Sequence, residues 1–260
     1  MSDSRDRLLL NELRDFATEV AWCGGRSALA WYQNHAPLDW KEDGSPVTVA
    51  DREAEARMRA RIRERYPDHG IVGEEEGEEQ SAASIRWILD PIDGTRTFVR
   101  GAPLFGSLVG VEIEGRARVG SIYIPALNEM LDAAHGLGCR WNGRAARVSG
   151  EKDLDRSLVL TTCERATRQR SEGYAALVDR AELSRTWGDC YGYVLVATGR
   201  AEVMIDPEMN VWDAAPLLPI IEEAGGRFTS WSGEATIRGG DSVATNGILH
   251  DLVLETLSQP

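Results

Sequence analysis

The 260-residue sequence predicts a mixed α/β fold in two layered halves, and three patterns carry that prediction. Apolar residues at helical spacing mark the first sixty or so positions, and an antiparallel meander fills the region around 104–134. Strands then alternate with helices to the end, the pattern of a layered α/β unit. The boundary between halves is placed near residue 150 (1–150 and 151–260), as a packed interface within one compact unit and not a flexible linker.

In chain order, Leu9, Leu13, Phe16, Val20, Ser27 and Trp31 define an amphipathic helix over roughly 4–33. Pro37 and the Glu42-Asp43-Gly44-Ser45-Pro46 stretch read as loop, and Ala50, Ala54, Met58 and Ile62 mark a second helix with Thr48 as its N-cap. Ile71-Val72 and Trp87-Ile88-Leu89 are short strands, each ending at acidic residues. The meander comprises 104–113, 118–124 and 128–134, with a turn at Glu114-Gly115-Arg116 and a break at Pro125. Trp141-Asn142-Gly143-Arg144 marks a strong turn. The second half reads as strand 157–161, helices near 168–181 and 189–198, strand 201–205, helix 213–224, strands 227–230 and 242–245, and helix 248–257. Pro219 is expected to kink the helix after Asp213 or to unwind a turn of it.

With 42% hydrophobic and 27% charged residues, this is an ordinary globular composition, and a formal net charge of −13 argues against nucleic acid or an anionic membrane as partner. The four cysteines form no CxxC pair and the four histidines are scattered, so a disulfide framework or a zinc site is not expected; hard, oxygen-ligated cations fit better. No apolar leader and no run near the roughly 20 residues of a membrane span is visible, which places the chain in the cytoplasm by expectation.

Four acidic islands stand out by position: Asp51, the Glu74–Glu75 pair after Ile71-Val72, Asp90 and Asp93 after Trp87-Ile88-Leu89, and Asp213 at a helix start. Strand ends and helix starts are where α/β folds present ligands to a crevice. Phosphate-ester hydrolysis needs a nucleophile deprotonated near neutral pH and an anionic leaving oxygen stabilised, which two divalent cations roughly 3.5–4 Å apart provide. In Asp90-Pro91-Ile92-Asp93-Gly94-Thr95, Asp90 is suited to bridge two ions, with the Ile92 carbonyl beside it and Asp93 on the second. Gly94 leaves room for phosphate, and the Thr95 hydroxyl suits orienting a water. Each island also has an ordinary reading: Asp51 completes a capping box with Thr48, Glu74–Glu76 is a solvated acidic turn, Asp213 caps a helix, and Asp-Pro and Asp-Gly occur in turns.

Taken together and in order, these segments resemble the inositol monophosphatase superfamily. Trp87 through Thr95 resembles its first motif, and Val211-Trp212-Asp213-Ala214-Ala215 with Glu223-Ala224-Gly225-Gly226 its second. Lys41 through Asp51 and Gly73-Glu74-Glu75 match upstream blocks, so the resemblance spans essentially the whole chain. It implies a layered αβαβα sandwich, a homodimer, two to three Mg²⁺ per site and inhibition by lithium. It further implies one ion on Glu74, Asp90 and the Ile92 carbonyl, a second on Asp90, Asp93 and Asp213, and a weaker third on Glu74. Asp51 with Thr95 would lie behind the nucleophilic water, and Gly94 with Thr95 would receive phosphate. Phe98-Val99-Arg100-Gly101 and Trp187-Gly188-Asp189-Cys190-Tyr191-Gly192-Tyr193 look like the histidinol-phosphate phosphatase branch. That substrate carries an ammonium and an imidazole, so Asp189, with Asp206 and Glu208, suits it better than a polyol. Arg100 and Arg185 complete the expected phosphate- or substrate-binding set; Arg100 alternatively faces a dimer partner, and Asp189 alternatively caps the helix after Gly188. An inositol or broad sugar phosphatase is the neighbouring expectation. A non-catalytic member of the fold would lack a metal ligand or Thr95, and none is missing. No GxSxG elbow, Cys/His pairing or GxxxxGK[ST] loop is present, which sets aside nucleophilic hydrolases and NTPases.

Overall fold

The computed structural model describes residues 2–34, 36–41, 44 and 46–259. The chain runs α1 (Ser2–Trp31), β1 (Leu38–Trp40), β2 (Pro46–Thr48), α2 (Val49–Arg65), β3 (Gly70–Gly73), β4 (Gly77–Glu79), β5 (Ile85–Asp93), α3 (Thr95–Val99), β6 (Gly106–Ile113), β7 (Arg116–Ile124), β8 (Glu129–Ala134), β9 (Gly138–Trp141) and β10 (Arg144–Ala145). It continues through β11 (Leu158–Thr161), α4 (Glu164–Arg170), α5 (Gly173–Arg180), β12 (Leu183–Arg185), α6 (Asp189–Ala197), β13 (Val203–Asp206), α7 (Val211–Glu223), β14 (Arg227–Thr229), β15 (Ser242–Thr245) and α8 (His250–Leu257). Of the predicted loop over 42–46, Glu42, Asp43 and Ser45 lie outside the described residues. No helix among the described residues is long and apolar enough to cross a membrane, and the four cysteines are unpaired.

Two sheets organise the molecule. The larger has the order β10-β9-β8-β7-β6-β5-β3-β4, with β3 and β5 parallel; the smaller has the order β12-β11-β13-β15-β14. Helices α1 and α2 cover one face of the large sheet, where Leu13, Phe16, Val20, Met58 and Ile62 pack on Trp87, Val109, Val111 and Val119. Its other face meets α6 and α7: Ile88, Leu108 and Ile122 join Tyr193, Val194, Ala215 and Ile220, and the same core reaches Met204, Phe228 and Ala244 of the small sheet. Helices α5 and α8 close the far side through Tyr174, Leu177, Val253 and Leu257. The layers are therefore αβαβα, as expected.

The structure departs from the sequence reading where tertiary docking overrides local pattern. The predicted helix over 168–181 is two helices, α4 and α5, separated at Ser171, which is extended (φ −146°) and donates its hydroxyl to the Leu257 carbonyl at 2.7 Å. Gly173 lies so close to α8 that a Cβ there would be 1.9 Å from the Thr256 carbonyl oxygen. The Asn142-Gly143 turn is as expected: both residues have φ > 0 (47° and 76°), the primed geometry that lets β9 and β10 pair.

Helix α7 answers the second half of the expectation for Pro219, that a turn would unwind. It runs from Val211 to Glu223 without an unwound turn although Pro216 and Pro219 both lie inside it. Its residues Ala214–Leu217 and Pro219–Ile221 are buried between the two sheets, so burial on both sides offsets the ~3 kcal/mol that a proline costs a helix interior. The large sheet makes room with glycines. Gly110 of β6 and Gly120 of β7 are cross-strand partners, and a Cβ on them would be 2.7 Å from the Ala215 Cβ and 2.1 Å from the Pro216 carbonyl oxygen. Because the obstacle is backbone, Gly120→Ala is expected to cost about 2–3 kcal/mol and lower Tm by roughly 4–12 °C in a thermal melt. An unchanged Tm would show that α7 is free to shift.

Candidate active site

The centre of the site is the end of β5. In a regular strand residues three apart face opposite sides, so Asp90 and Asp93 would diverge. Here the register against β6 shifts between them: Asp90 pairs with Leu108 and Asp93 with Gly106, three steps on one strand against two on the other. This bulge re-aims the strand end, and one oxygen from each of Asp90, Asp93 and Asp213 comes within 4.8 Å of the others. Asp90 is buried and folds back to accept from the Ile92 N–H at 3.0 Å. Asp93 accepts from the Cys190 N–H at the start of α6. Asp213 arrives from α7, where it also accepts from the Asn210 N–H at 2.7 Å. The capping reading and the cluster reading of Asp213 are thus both correct, one carboxylate serving both.

Three carboxylates so placed repel one another. Burial, followed by the charges of Glu74, Asp93 and Asp213, pushes Asp90 well above the usual carboxylate range. Burial and the neighbouring Asp189 and Asp213 do the same to Asp93. Asp213 is pushed up to about 7, by burial first, against its hydrogen bond from Asn210. A crowded set of oxygen donors that otherwise holds protons fits a hard divalent cation. Glu74 is not gathered into the trio, though its charge raises Asp90 and Asp213; its carboxylate, like that of Glu75, is paired with the Lys41 ammonium, at 2.7 and 2.8 Å. Burial alone would depress Lys41, and the two glutamates outweigh it, so the ammonium is held above its ordinary value.

Next to the trio, the Thr95 hydroxyl is 3.2 Å from Asp51 Oδ1 and 3.0 Å from the Ile92 carbonyl. It has one proton for these two acceptors, so it donates to one of them and keeps its lone pairs as acceptors. The other oxygen of Asp51 accepts from the N–H of Thr48 at 2.7 Å and from its hydroxyl, closing the capping box of α2. Burial, opposed by these bonds, raises Asp51 above the usual range. Gly94 precedes Thr95 with φ +83°, and a Cβ there would be 2.8 Å from Asp189 Oδ2. The glycine is therefore required by backbone conformation and by the close approach of Asp189, as well as by any need for space at a phosphate.

A small cavity of about 110 Å³ opens from Asp93 and Asp213 toward Asp189, Asp206 and Glu208, with Thr162, Tyr193 and Met209 along its wall. None of its lining residues is basic. Asp189 does not cap α6; its φ is +49°, its N–H donates to Thr162 Oγ1 at 2.8 Å, and its carboxylate accepts from Thr97 Oγ1 at 2.8 Å. Asp206 is buried, accepts from the Thr162 N–H at 3.1 Å and from the Tyr193 hydroxyl at 2.8 Å, and is pushed by burial to about 6. Glu208 is exposed at the rim. The two predicted arginines do not join this wall. Arg185 is exposed on the edge strand β12 and donates to the Ser184 carbonyl, and Arg100 lines a separate surface depression with Trp31, Leu38 and Phe98. Sequence reasoning also passed over Lys41, Thr97, Thr162 and Tyr193 as site residues; Lys41 and Tyr193 carried a signal, lying within the same quoted segments as Asp51 and Asp189.

The likeness to known proteins agrees with this geometry. The family model described as the inositol monophosphatase family matches residues 9–259. The chain is 39% identical over 244 residues to a histidinol-phosphatase of Chlorobaculum parvum, covering 91% of this chain and 93% of the relative. It is 30% identical over 232 residues to the Nus factor SuhB of Escherichia coli, covering 86% and 87%. The solved structure of a Thermotoga maritima IMPase superposes with a TM-score of 0.86 at 30% identity, covering 97% of this chain and 96% of that one. With the acidic trio in place at the end of β5, the chain belongs to the inositol monophosphatase family, and it is a metal-dependent phosphomonoesterase of that family.

Proposed function

We propose that the chain hydrolyses L-histidinol phosphate to L-histidinol and inorganic phosphate, with Mg²⁺ held by Asp90, Asp93 and Asp213 and by Glu74 with the Ile92 carbonyl. When bound, the cations supply a nucleophile at neutral pH and neutralise charge on the phosphoryl and leaving oxygens. The chain's own residues do the rest. Thr95, its proton committed to Asp51 or the Ile92 carbonyl, presents lone pairs that orient the attacking water. Asp51, fixed by Thr48, holds the threonine rotamer. Gly94, with no side chain, lets Asp189 close against the strand end beside Thr95.

The observation that carries the substrate reading is the acidic wall of the 110 Å³ cavity. An anionic ester is held at the metal end, while the opposite end offers Asp189, Asp206 and Glu208 and no cation. A substrate with a cationic tail satisfies both ends; a neutral polyol leaves desolvated carboxylates uncompensated. The relative from Chlorobaculum parvum supports the same reading. The test is phosphate release with Mg²⁺ from histidinol phosphate against inositol 1-phosphate and fructose bisphosphate. Preference for either polyol ester overturns the substrate and supports the second reading, an inositol or broad sugar phosphatase, which the Thermotoga IMPase likeness favours.

A residue-level check follows. Asn tolerates the positive φ of Asp189 and can still accept from Thr97, so Asp189→Asn removes charge and little else. It is expected to lower kcat/KM for histidinol phosphate about 10–100-fold while changing that for inositol 1-phosphate less than about threefold. Equal losses on both esters would place Asp189 outside substrate discrimination.

A further inference from the structure

We infer that Glu55 and Arg59, a buried ion pair on α2, position the turn that carries Glu74, so that α2 sets the spacing between the two ends of the metal site. The inference rests on the reading of Glu74 as a metal ligand. Asp51, Glu55 and Arg59 are spaced i, i+4 and i+8 and share one face of α2. All three are buried, at 0%, 0% and 1% exposure. Asp51 reaches Thr95, as described above. One turn on, Glu55 Oε2 accepts from the Glu75 N–H at 2.8 Å and Oε1 from the Glu76 N–H at 3.0 Å. Oε1 also accepts from Arg59 Nε at 2.7 Å. Arg59 in turn donates to the Gly77 carbonyl and lies 3.5 Å from the Glu76 carboxylate.

The 74–77 turn is therefore gripped from both sides. The Glu74 N–H is tied to the Leu89 carbonyl at 3.2 Å, one residue before Asp90, and Gly73 pairs with Leu89 and Gly77. From the other side a single helix residue satisfies two consecutive backbone N–H groups. Gly73 lets that helix approach, since a Cβ there would be 2.0 Å from Glu55 Oε1 and 2.6 Å from Arg59 Nη2. A buried ion pair adds little net stability over apolar residues of the same volume, because desolvating two charges offsets their attraction. What this pair adds that apolar residues cannot is a bidentate acceptor for Glu75 and Glu76, which fixes the direction in which Glu74 points. Supporting groups of this kind typically tune metal affinity or activity by 10–100-fold.

The test uses the full chain stripped of metal. Glu55→Gln keeps the shape but turns an amide donor toward N–H donors. It is expected to raise the Mg²⁺ concentration for half-maximal activity by at least about tenfold, with kcat at saturating Mg²⁺ within about threefold. Titration calorimetry with Mn²⁺ should show weakened binding by a similar factor. Glu55→Met with Arg59→Met removes both charges, and its urea midpoint is expected to recover toward wild type while its Mn²⁺ affinity stays weakened. Recovery of both together would overturn the positioning role. So would wild-type Mn²⁺ affinity in Glu55→Gln. If the single variant does not fold, the double variant and hydrogen exchange on the wild type decide. The Glu75 and Glu76 amides should exchange slowly in metal-free enzyme, and exchange at free-peptide rates overturns the inference. Asp90→Asn is the reference: wild-type Mn²⁺ binding in that variant would overturn the metal site and this inference together, whereas its loss beside an unaffected Glu55→Gln overturns this inference alone.

Discussion

Asp90→Asn is expected to lower kcat for phosphate release by about 10³-fold or more, the largest effect of any single substitution considered. Removing a ligand forfeits several kcal/mol of metal-dependent charge stabilisation, and each 1.36 kcal/mol is tenfold in rate. The amide is nearly isosteric, so packing around Ile88 and Leu89 is retained. What changes is charge and donor sense: the trio drops to two carboxylates, and an amide N–H is turned toward Asp213 or Ile92. The same substitution relieves repulsion that raises Asp90 well above the usual range. In EDTA, Asp90→Asn should therefore melt at or above the wild-type temperature, and in Mg²⁺ below it. Full activity in this variant would place the chemistry elsewhere. A low melting temperature in EDTA would mean that Asp90 contributes to folding through its hydrogen bonds more than it costs through charge.

The second large effect is a metal-reversible loss of stability with rising pH. Asp213 titrates at about 7 in the folded chain, and Glu75, raised by burial against its Lys41 bond, also at about 7. Unfolded carboxylates titrate near 4. Between those values the unfolded chain has released protons that the folded chain retains, so stability falls as pH rises toward about 7. His250 acts in the opposite sense at lower pH. Burial first, then Arg227, depresses it to about 4, so its contribution grows as pH rises from about 4 to about 6.5 and is constant above. The clean window therefore lies from about 6.5 to about 7.5. Metal-free protein should lose several degrees of Tm across it, and saturating Mg²⁺ should restore them, since ligand at 100 times its Kd adds about 2.7 kcal/mol. Calorimetry in buffers of different ionisation enthalpy should show proton release on Mg²⁺ binding near pH 6.5, because the cation replaces protons on the carboxylates. A flat Tm across this window in EDTA would show that these carboxylates retain no proton in the folded chain.

Much of the site was legible because its residues are tied to local signals. Asp51 and Asp213 each complete a capping box, so the helix starts that sequence patterns locate also locate these carboxylates. Asp90 and Asp93 follow a buried apolar strand, and Asp189 and Asp206 sit at the start of α6 and the end of β13. The exceptions are long-range. Lys41 reaches Glu74 across 33 residues, Thr97 reaches Asp189 across 92, and Cys190 reaches Asp93 across 97. Lys41 and Cys190 lie in segments that resemble the family, but nothing local says which carboxylate each one meets. Arg100 and Arg185 show the converse: both are expected in the phosphate- or substrate-binding set, Arg100 from its motif-like segment with a dimer partner as the alternative, and the fold places both on the surface outside the acidic wall.

The sequence by itself determined the layered α/β class, the carboxylates and their order, because apolar periodicity and capping are properties of a few consecutive residues. The tertiary structure alone decided how those carboxylates meet. It required the β5 bulge that turns Asp90 and Asp93 to one side, the Gly110–Gly120 pair that admits α7 and with it Asp213, and the grip of Glu55 on the Glu74 turn. Each of these is a close approach between segments distant in the chain, set by packing and backbone hydrogen bonding that only the assembled layers supply.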